Sequence, residues 1–267
     1  ATLEDVKEFY NKYYGAANAS LVIAGDIDIA NTKELVKKWF GEIPRGPEVE
    51  ALKAMPVTLS ESKSLYFKDN FAKLPELRMV YPTVEGYNKD EYALDVLGQL
   101  LSGSRKSPLY RTVVEEGKLA PNVSSYNSSS ELAGEFVIRA RANEGVDLDE
   151  VKKAIEKGLQ DFEANGFEDT ELQRIKAELE TQLYSGVATV LNKAFQLVQD
   201  NEFGGDPGYI TKRAKLYQKI NRADVMRVYN EYIKGKNYVM TSVVPKDSPD
   251  LAVSGAKEAS VWEEKVT

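Results

Sequence analysis

A tyrosine-bearing helix that leads through an asparagine into an apolar strand occurs twice in this sequence, 219 residues apart. No other feature constrains the fold as much. Asp5, Val6, Tyr10, Asn11, Tyr13 and Asn18 recur as Asp224, Val225, Tyr229, Asn230, Tyr232 and Asn237. Six identities in a short window could arise by chance between two amphipathic helices. Duplication explains more, because an apolar strand follows in both places, at 21–24 and at 238–244. It implies a structural unit of about 220 residues, with the chain holding the tail of one copy and the whole of the next. On this reading the first copy lacks everything before Thr2, and the strand at 21–24 is deprived of its sheet neighbours.

The rest of the pattern fits that division. Thr2 is a good N-cap with Asp5 three positions on, and Leu3, Val6, Phe9, Tyr10 and Tyr13 share one helical face. A second helix spans 31–40 and is closed by Gly41, before a Pro- and Gly-bearing linker from Pro44 to Pro56. Beyond the linker, 64–68 and 77–81 read as strands, 90–101 and 109–116 as helices. Residues 122–126 and 135–142 read as strands paired around a turn at Ser128-Ser129-Ser130. Helices follow at 148–165, 171–200 (with a bend at Gly186), 209–219 and 222–233.

Composition removes most catalytic chemistries. There is no histidine and no cysteine, so thiol chemistry, imidazole bases, Ser-His-Asp triads and the common zinc sites are excluded for this chain. The formal charge of −7, with no basic run longer than two residues, argues against a nucleic-acid partner. No apolar run approaches the ~20 residues of a membrane span.

Several passages are similar to those of pitrilysin/insulinase-type zinc metallopeptidases. The first is Asp5-Val6…Phe9-Tyr10…Tyr13-Tyr14…Asn18 running into Leu21-Val22-Ile23-Ala24-Gly25-Asp26-Ile27-Asp28. Next come Trp39-Phe40-Gly41-Glu42-Ile43-Pro44-Arg45-Gly46, then Leu100-Leu101-Ser102-Gly103-Ser104 with Ser107-Pro108-Leu109-Tyr110. Leu119-Ala120-Pro121-Asn122-Val123 and Phe203-Gly204-Gly205-Asp206-Pro207 complete the series. The resemblance covers about residues 1–245 and points to the second domain of the N-terminal half of a large bacterial member. It implies an α+β fold, an α/β-roll of the mitochondrial-processing-peptidase/pitrilysin type, with a mostly antiparallel sheet and helices on one face. It also implies three segments. Residues 1–50 are the remnant of a preceding catalytic-type domain, 51–245 a complete non-catalytic domain, and 246–267 a polar tail or linker.

By the same resemblance, zinc belongs to the parent protein, in an H-x-x-E-H motif that this chain lacks. No catalytic, metal or substrate-binding residue is assigned here. The implied partners are the zinc-bearing domain, the opposing half of the enzyme and a peptide or unfolded substrate, in a periplasmic or secreted setting. The implied role is to form part of a peptide chamber and to brace the zinc domain. One alternative is a structural or docking subunit of a catalytically silent homologue, and a third reading is an autonomous peptide-binding domain. Many second domains of the family carry an Arg and, seven residues later, a Tyr that reach the substrate. Here Val114 and Pro121 stand at those places, with Arg111 one turn early.

Other motifs have plain readings. Gly25-Asp26-Ile27-Asp28 ends a strand and caps a helix more readily than it binds a cation. Ser102 to Ser107 follows a helix and lacks a phosphate-loop signature. Glu115-Glu116 and Glu131…Glu135 are carboxylate pairs whose default is a solvated face. Ser124 to Ser130 is either a polar hairpin tip or a strand edge able to capture an extended peptide.

Overall fold

Residues 76–83, Glu-Leu-Arg-Met-Val-Tyr-Pro-Thr, place Leu, Met and Tyr at alternate positions. In the computed structural model, which describes residues 1–260, they form a strand with Leu77, Met79, Tyr81 and Thr83 buried. The helices and strands in chain order are α1 (Leu3–Tyr13), α2 (Ile29–Phe40), β1 (Lys63–Asp69), β2 (Glu76–Thr83), α3 (Glu91–Ser102), α4 (Pro108–Tyr110), β3 (Val123–Ser129) and β4 (Gly134–Arg141). They continue as α5 (Leu148–Asn165), α6 (Asp169–Gly186), α7 (Val190–Gly204), α8 (Tyr209–Lys219), α9 (Arg222–Val228), β5 (Val239–Pro245) and β6 (Lys257–Glu258). Two helices run on as π-helical turns, α4 into Arg111–Glu116 and α9 into Tyr229–Ile233.

The chain divides into two units, one of residues 1–53 with 179–215, the other of 54–178 with 216–267. The second holds the sheet, in the order β3-β4-β2-β5-β1-β6. The β3–β4, β4–β2 and β2–β5 pairs are antiparallel; β1 runs parallel to β5 and to β6. This is the expected α+β fold with a mostly antiparallel sheet.

Helices α3 and α5 supply the core on one side of the sheet. In α3, Tyr92, Leu94, Leu97 and Leu101 are fully buried or nearly so, and Gly98 lets the helix lie against β3. A Cβ there would come within 2.9 Å of the Ser125 carbonyl oxygen. The Ser125 hydroxyl donates to the Gly98 carbonyl at 2.8 Å, which fixes that approach. In α5, capped by Asp147, the buried stripe Val151, Ile155, Gly158 and Phe162 keeps helical spacing. Gly166 ends it at φ 64°, a conformation glycine adopts without strain.

The first unit is built from short helices. Thr2 and Asp5 form a capping box on α1, and the rings of Tyr10 and Tyr14 stack along it at 5.2 Å. Asp28 caps α2 through the Asn31 amide. Arg213 donates to the buried Asp200 at 2.8 Å.

Some expected elements differ. Residues 21–24 form no strand and join no sheet among the described residues; an apolar run becomes a strand only where neighbours complete its ladder. The single helix expected over 171–200 is two, because α6 stops at Gly186 and the Thr189 side chain caps a fresh start at α7. The β3–β4 pairing continues through Ser129, so the turn lies at 130–133 and not at Ser128-Ser129-Ser130. Part of the stretch read as a polar tail packs onto the sheet. Val253 is buried, the Ser242 hydroxyl accepts from its amide, and the Ala259 amide donates to Tyr66. The remainder of that tail, 261–267, lies outside the described residues.

Candidate functional site

The sheet has two unlike faces. Ser125 points toward α3, so alternation and register place Ile138, Met79 and Met240 on the same, buried side. The opposite face carries Ser124, Arg139, Arg78, Thr241 and Leu65 in one cross-strand row. Tyr126, Val137, Val80 and Val239 form the next. A third row holds Arg141, Glu76, Val243 and Phe67. Arg139, Arg141, Tyr126 and Phe67 are exposed. In the Tyr126 row Val137 is fully buried, and Val80 and Val239 are half-buried, so what this face exposes is chiefly those four side chains, of mixed apolar and charged character.

Its charges are tied together. Glu76 accepts from the Arg139 guanidinium at 2.8 and 2.7 Å and from Arg141 at 3.1 Å. Arg78 donates to Glu135 at 2.7 Å. Partial burial works against ionisation of Glu76, but the hydrogen bonds and charges of Arg139 and Arg141 outweigh it and hold its carboxyl below the ordinary value. Three guanidinium groups facing two carboxylates leave one surplus positive charge on this face. That contrasts with the net −7 of the chain.

The rim of this face is the free edge of β3. Outward-pointing backbone groups on an edge strand can pair with an extended chain, but one end of this edge is closed. The Ser102 hydroxyl accepts from the Ser125 amide at 2.7 Å. Asn127 is drawn toward the helical side, accepting from Thr83 and donating to Ser129. The serine-rich segment is therefore an edge strand, blunted at Ser125.

The residues singled out in the sequence do not converge. Arg111 pairs with Asp161 at 2.7 Å and with Glu116 at 3.5 Å, whereas Val114 is half-buried and Pro121 exposed. Glu116 also accepts from Lys157, and Glu135 from Arg78, so neither carboxylate pair forms a shared acid–base site. Asp28 is a helix cap, and the Ser104 amide donates to the Ser107 hydroxyl within a turn. The charged cluster of Arg78, Glu76, Arg139, Arg141 and Glu135 was not foreseen. Charged residues at alternate strand positions were visible, but the register that brings them together was not.

Residues 1–179 match the family described as the peptidase M16 inactive domain. The chain belongs to the peptidase M16 family. Over 240 residues it is 27% identical to the zinc protease PqqE of Helicobacter pylori, covering 87% of this chain and 53% of that protein. The crystal structure of a protease from Helicobacter pylori superposes with a TM-score of 0.76 at 23% identity, over 92% of this chain and 60% of that one. The periplasmic protease PqqL from Escherichia coli gives a TM-score of 0.66 at 16% identity, over 83% of this chain and 25% of that one. At such identities the structural likenesses speak for the fold. The chain thus spans about half the length of the PqqE relative it matches.

Zinc chemistry does not fit the residues present in this M16 inactive domain. It has neither histidine nor cysteine. Among the described residues, no three acidic side chains gather closely enough to hold an ion. Nor is any described helix long and apolar enough to cross a membrane.

Proposed function

We propose that this chain is the non-catalytic domain of a zinc-dependent endopeptidase of the M16 family, where it walls part of the peptide chamber and braces the zinc-bearing domain. The observation that carries the reading is the two-faced sheet. Helices fill one side, and the other offers Tyr126, Phe67 and the Arg–Glu cluster to a neighbour or ligand. A rigid sheet surface with both apolar and hydrogen-bonding groups suits contact with an unfolded peptide, which presents both.

Residues 1–50 serve in this proposal as the closing helix–strand–helix of the preceding domain, with the apolar face of α1 and residues 21–24 meeting its sheet. The M16 relative PqqE is a zinc protease by name and about twice as long, which supports a catalytic parent over a silent docking subunit. A periplasmic setting is proposed from the likeness to PqqL. The test is photo-crosslinking in the full-length protein. A benzophenone amino acid at Tyr126 should capture a bound substrate peptide, and the same group at the exposed Lys236 should not. Equal capture at both positions, or none at Tyr126, would remove the chamber-wall assignment. An H-x-x-E-H sequence in the preceding part of the gene is the companion observation that separates enzyme from silent subunit.

A further inference from the structure

One corner of the open face deepens into a pocket of about 480 Å³, lined by Asp69, Phe71, Lys73, Leu74, Glu76, Arg141 and Val243 among others. Its volume lies in the range of small-ligand sites, roughly 300–1,000 Å³. The turn between β1 and β2 forms one wall and is rigidly made. One carboxylate oxygen of Asp69 accepts from the amides of Phe71 and Ala72 at 2.6 and 2.7 Å. That turn holds Phe71 at 90% exposure, a large apolar ring left at the pocket rim.

The lining charges balance formally, with two acids and two bases, but they are not equally occupied. Glu76 is saturated by Arg139 and Arg141, and Asp69 is engaged in its turn. On the cationic side, Arg141 uses only its Nε, at 3.1 Å from Glu76, and its side chain is 61% exposed. Its two terminal nitrogens and the Lys73 ammonium have no partner among the described residues. Unspent donors therefore stand beside Phe71, Leu74 and Val243.

We infer that this pocket holds the C-terminal end of a peptide. Its carboxylate sits on Lys73 and the free arm of Arg141, and its last side chain packs against Phe71, Leu74 and Val243. A guanidinium arm meets a carboxylate with paired parallel hydrogen bonds, which an amide cannot reproduce. The residual donors suit one monoanion next to an apolar group. A polyanion would face Asp69 and Glu76 as well. The choice of a peptide as ligand rests on reading the open face as a chamber wall; the pocket itself is argued from its own lining.

The experiment titrates the 267-residue chain with three acetylated peptides, read by calorimetry and by backbone amide shifts. One ends in leucine with a free carboxylate, one is its C-terminal amide, and one carries a glutamate before a leucine amide. The free acid should bind at least tenfold more tightly than either amide, with shifts at Phe71, Ala72, Leu74 and Val243. Lys73→Gln and Arg141→Gln should each weaken the acid several-fold and leave the amide unchanged, whereas Lys236→Gln should change neither. Phe71→Ala should weaken both. Equal affinity for acid and amide, no binding at millimolar peptide, or insensitivity to Lys73→Gln and Arg141→Gln would overturn the assignment. Tight binding of the glutamate peptide would replace it with an acidic-side-chain subsite. Because no cleavage is measured, a failure here is separate from a failure of the crosslinking test at Tyr126.

Discussion

The same helix-to-strand passage occurs at 2–24 and at 221–244, and the two copies have opposite surroundings. Both begin with a capping box, Thr2 with Asp5 and Asn221 with Asp224. In the second copy Val225 and Tyr229 are 0% and 1% exposed; their equivalents Val6 and Tyr10 are 58% and 59% exposed. Met240 lies in the central strand β5 at 3% exposure, where Leu21 is 58% exposed and unpaired. Local sequence thus suffices for the helix and its cap. The strand requires neighbours, because a backbone ladder cannot be completed from one side of nothing.

One substitution separates the copies more sharply than burial does. Arg227 donates to the buried Asp90 at 2.7 and 3.0 Å, and the Tyr232 hydroxyl donates to it at 2.8 Å. These contacts pin α9 to the start of α3. In α1 the equivalent of Arg227 is Glu8, so that helix does not carry the cation that pairs with Asp90 in the second copy.

The largest expected difference between the copies is in packing. Tyr229 sits against the Phe162 ring at 5.1 Å with its hydroxyl 2.8 Å from Glu163. Tyr229→Ala should cost about 3–5 kcal/mol in urea unfolding, while Tyr10→Ala stays within about 0.5 kcal/mol. Comparable losses from both would show that the first copy is packed as tightly as the second.

The Asp90 anchor should contribute less and depend on pH. Burial opposes its charge, but the Arg227 and Tyr232 hydrogen bonds prevail and hold its carboxyl below the ordinary carboxylate value. Its stabilising effect is therefore complete above that ordinary value and is lost as pH falls through the lower, folded one. Asp90→Asn should cost about 1–3 kcal/mol at neutral pH, discounted because Arg227 is partly solvated. The gap to the unmodified protein should shrink below about pH 4. A gap constant from pH 7 to pH 2 would mean the carboxylate charge is irrelevant.

The caps give the smallest contrast. Asn221→Ala should lower global stability by about 1 kcal/mol. Thr2→Ala should instead fray α1, seen as faster amide exchange over residues 3–6, with the global unfolding midpoint unmoved. A shift in that midpoint would couple α1 to the sheet-bearing unit.

These contrasts explain what could be read in advance. The short apolar runs of the strands, the helical spacing over 148–165 and the Thr2 cap are local signals, and β1 to β5 and most helices fell where such signals placed them, whereas β6 lies in the stretch read as a polar tail. At 171–200 only a bend at Gly186 was legible, because the Thr189 cap that starts a new helix is a single local contact within a helical pattern. The packing of Val253 depends on its contact with Ser242 of β5, which only tertiary structure brings about. The charged cluster of the open face needed a register between strands 57 or more residues apart, such as Arg78 with Glu135. Its members are ordinary strand charges until that register is known.

We propose that residues 21–24 become a strand only on the sheet of an adjoining domain in a larger M16 peptidase. Amide hydrogen exchange of this chain, compared with the full-length protein, tests it directly. In the isolated chain the amides of Leu21 to Ala24 should exchange near the unfolded rate, while Met240 and Ser242 in β5 exchange only on global unfolding. In the full-length protein, protection at 21–24 should rise by orders of magnitude to approach that of β5. Unchanged rapid exchange at 21–24 in the full-length protein would contradict the account.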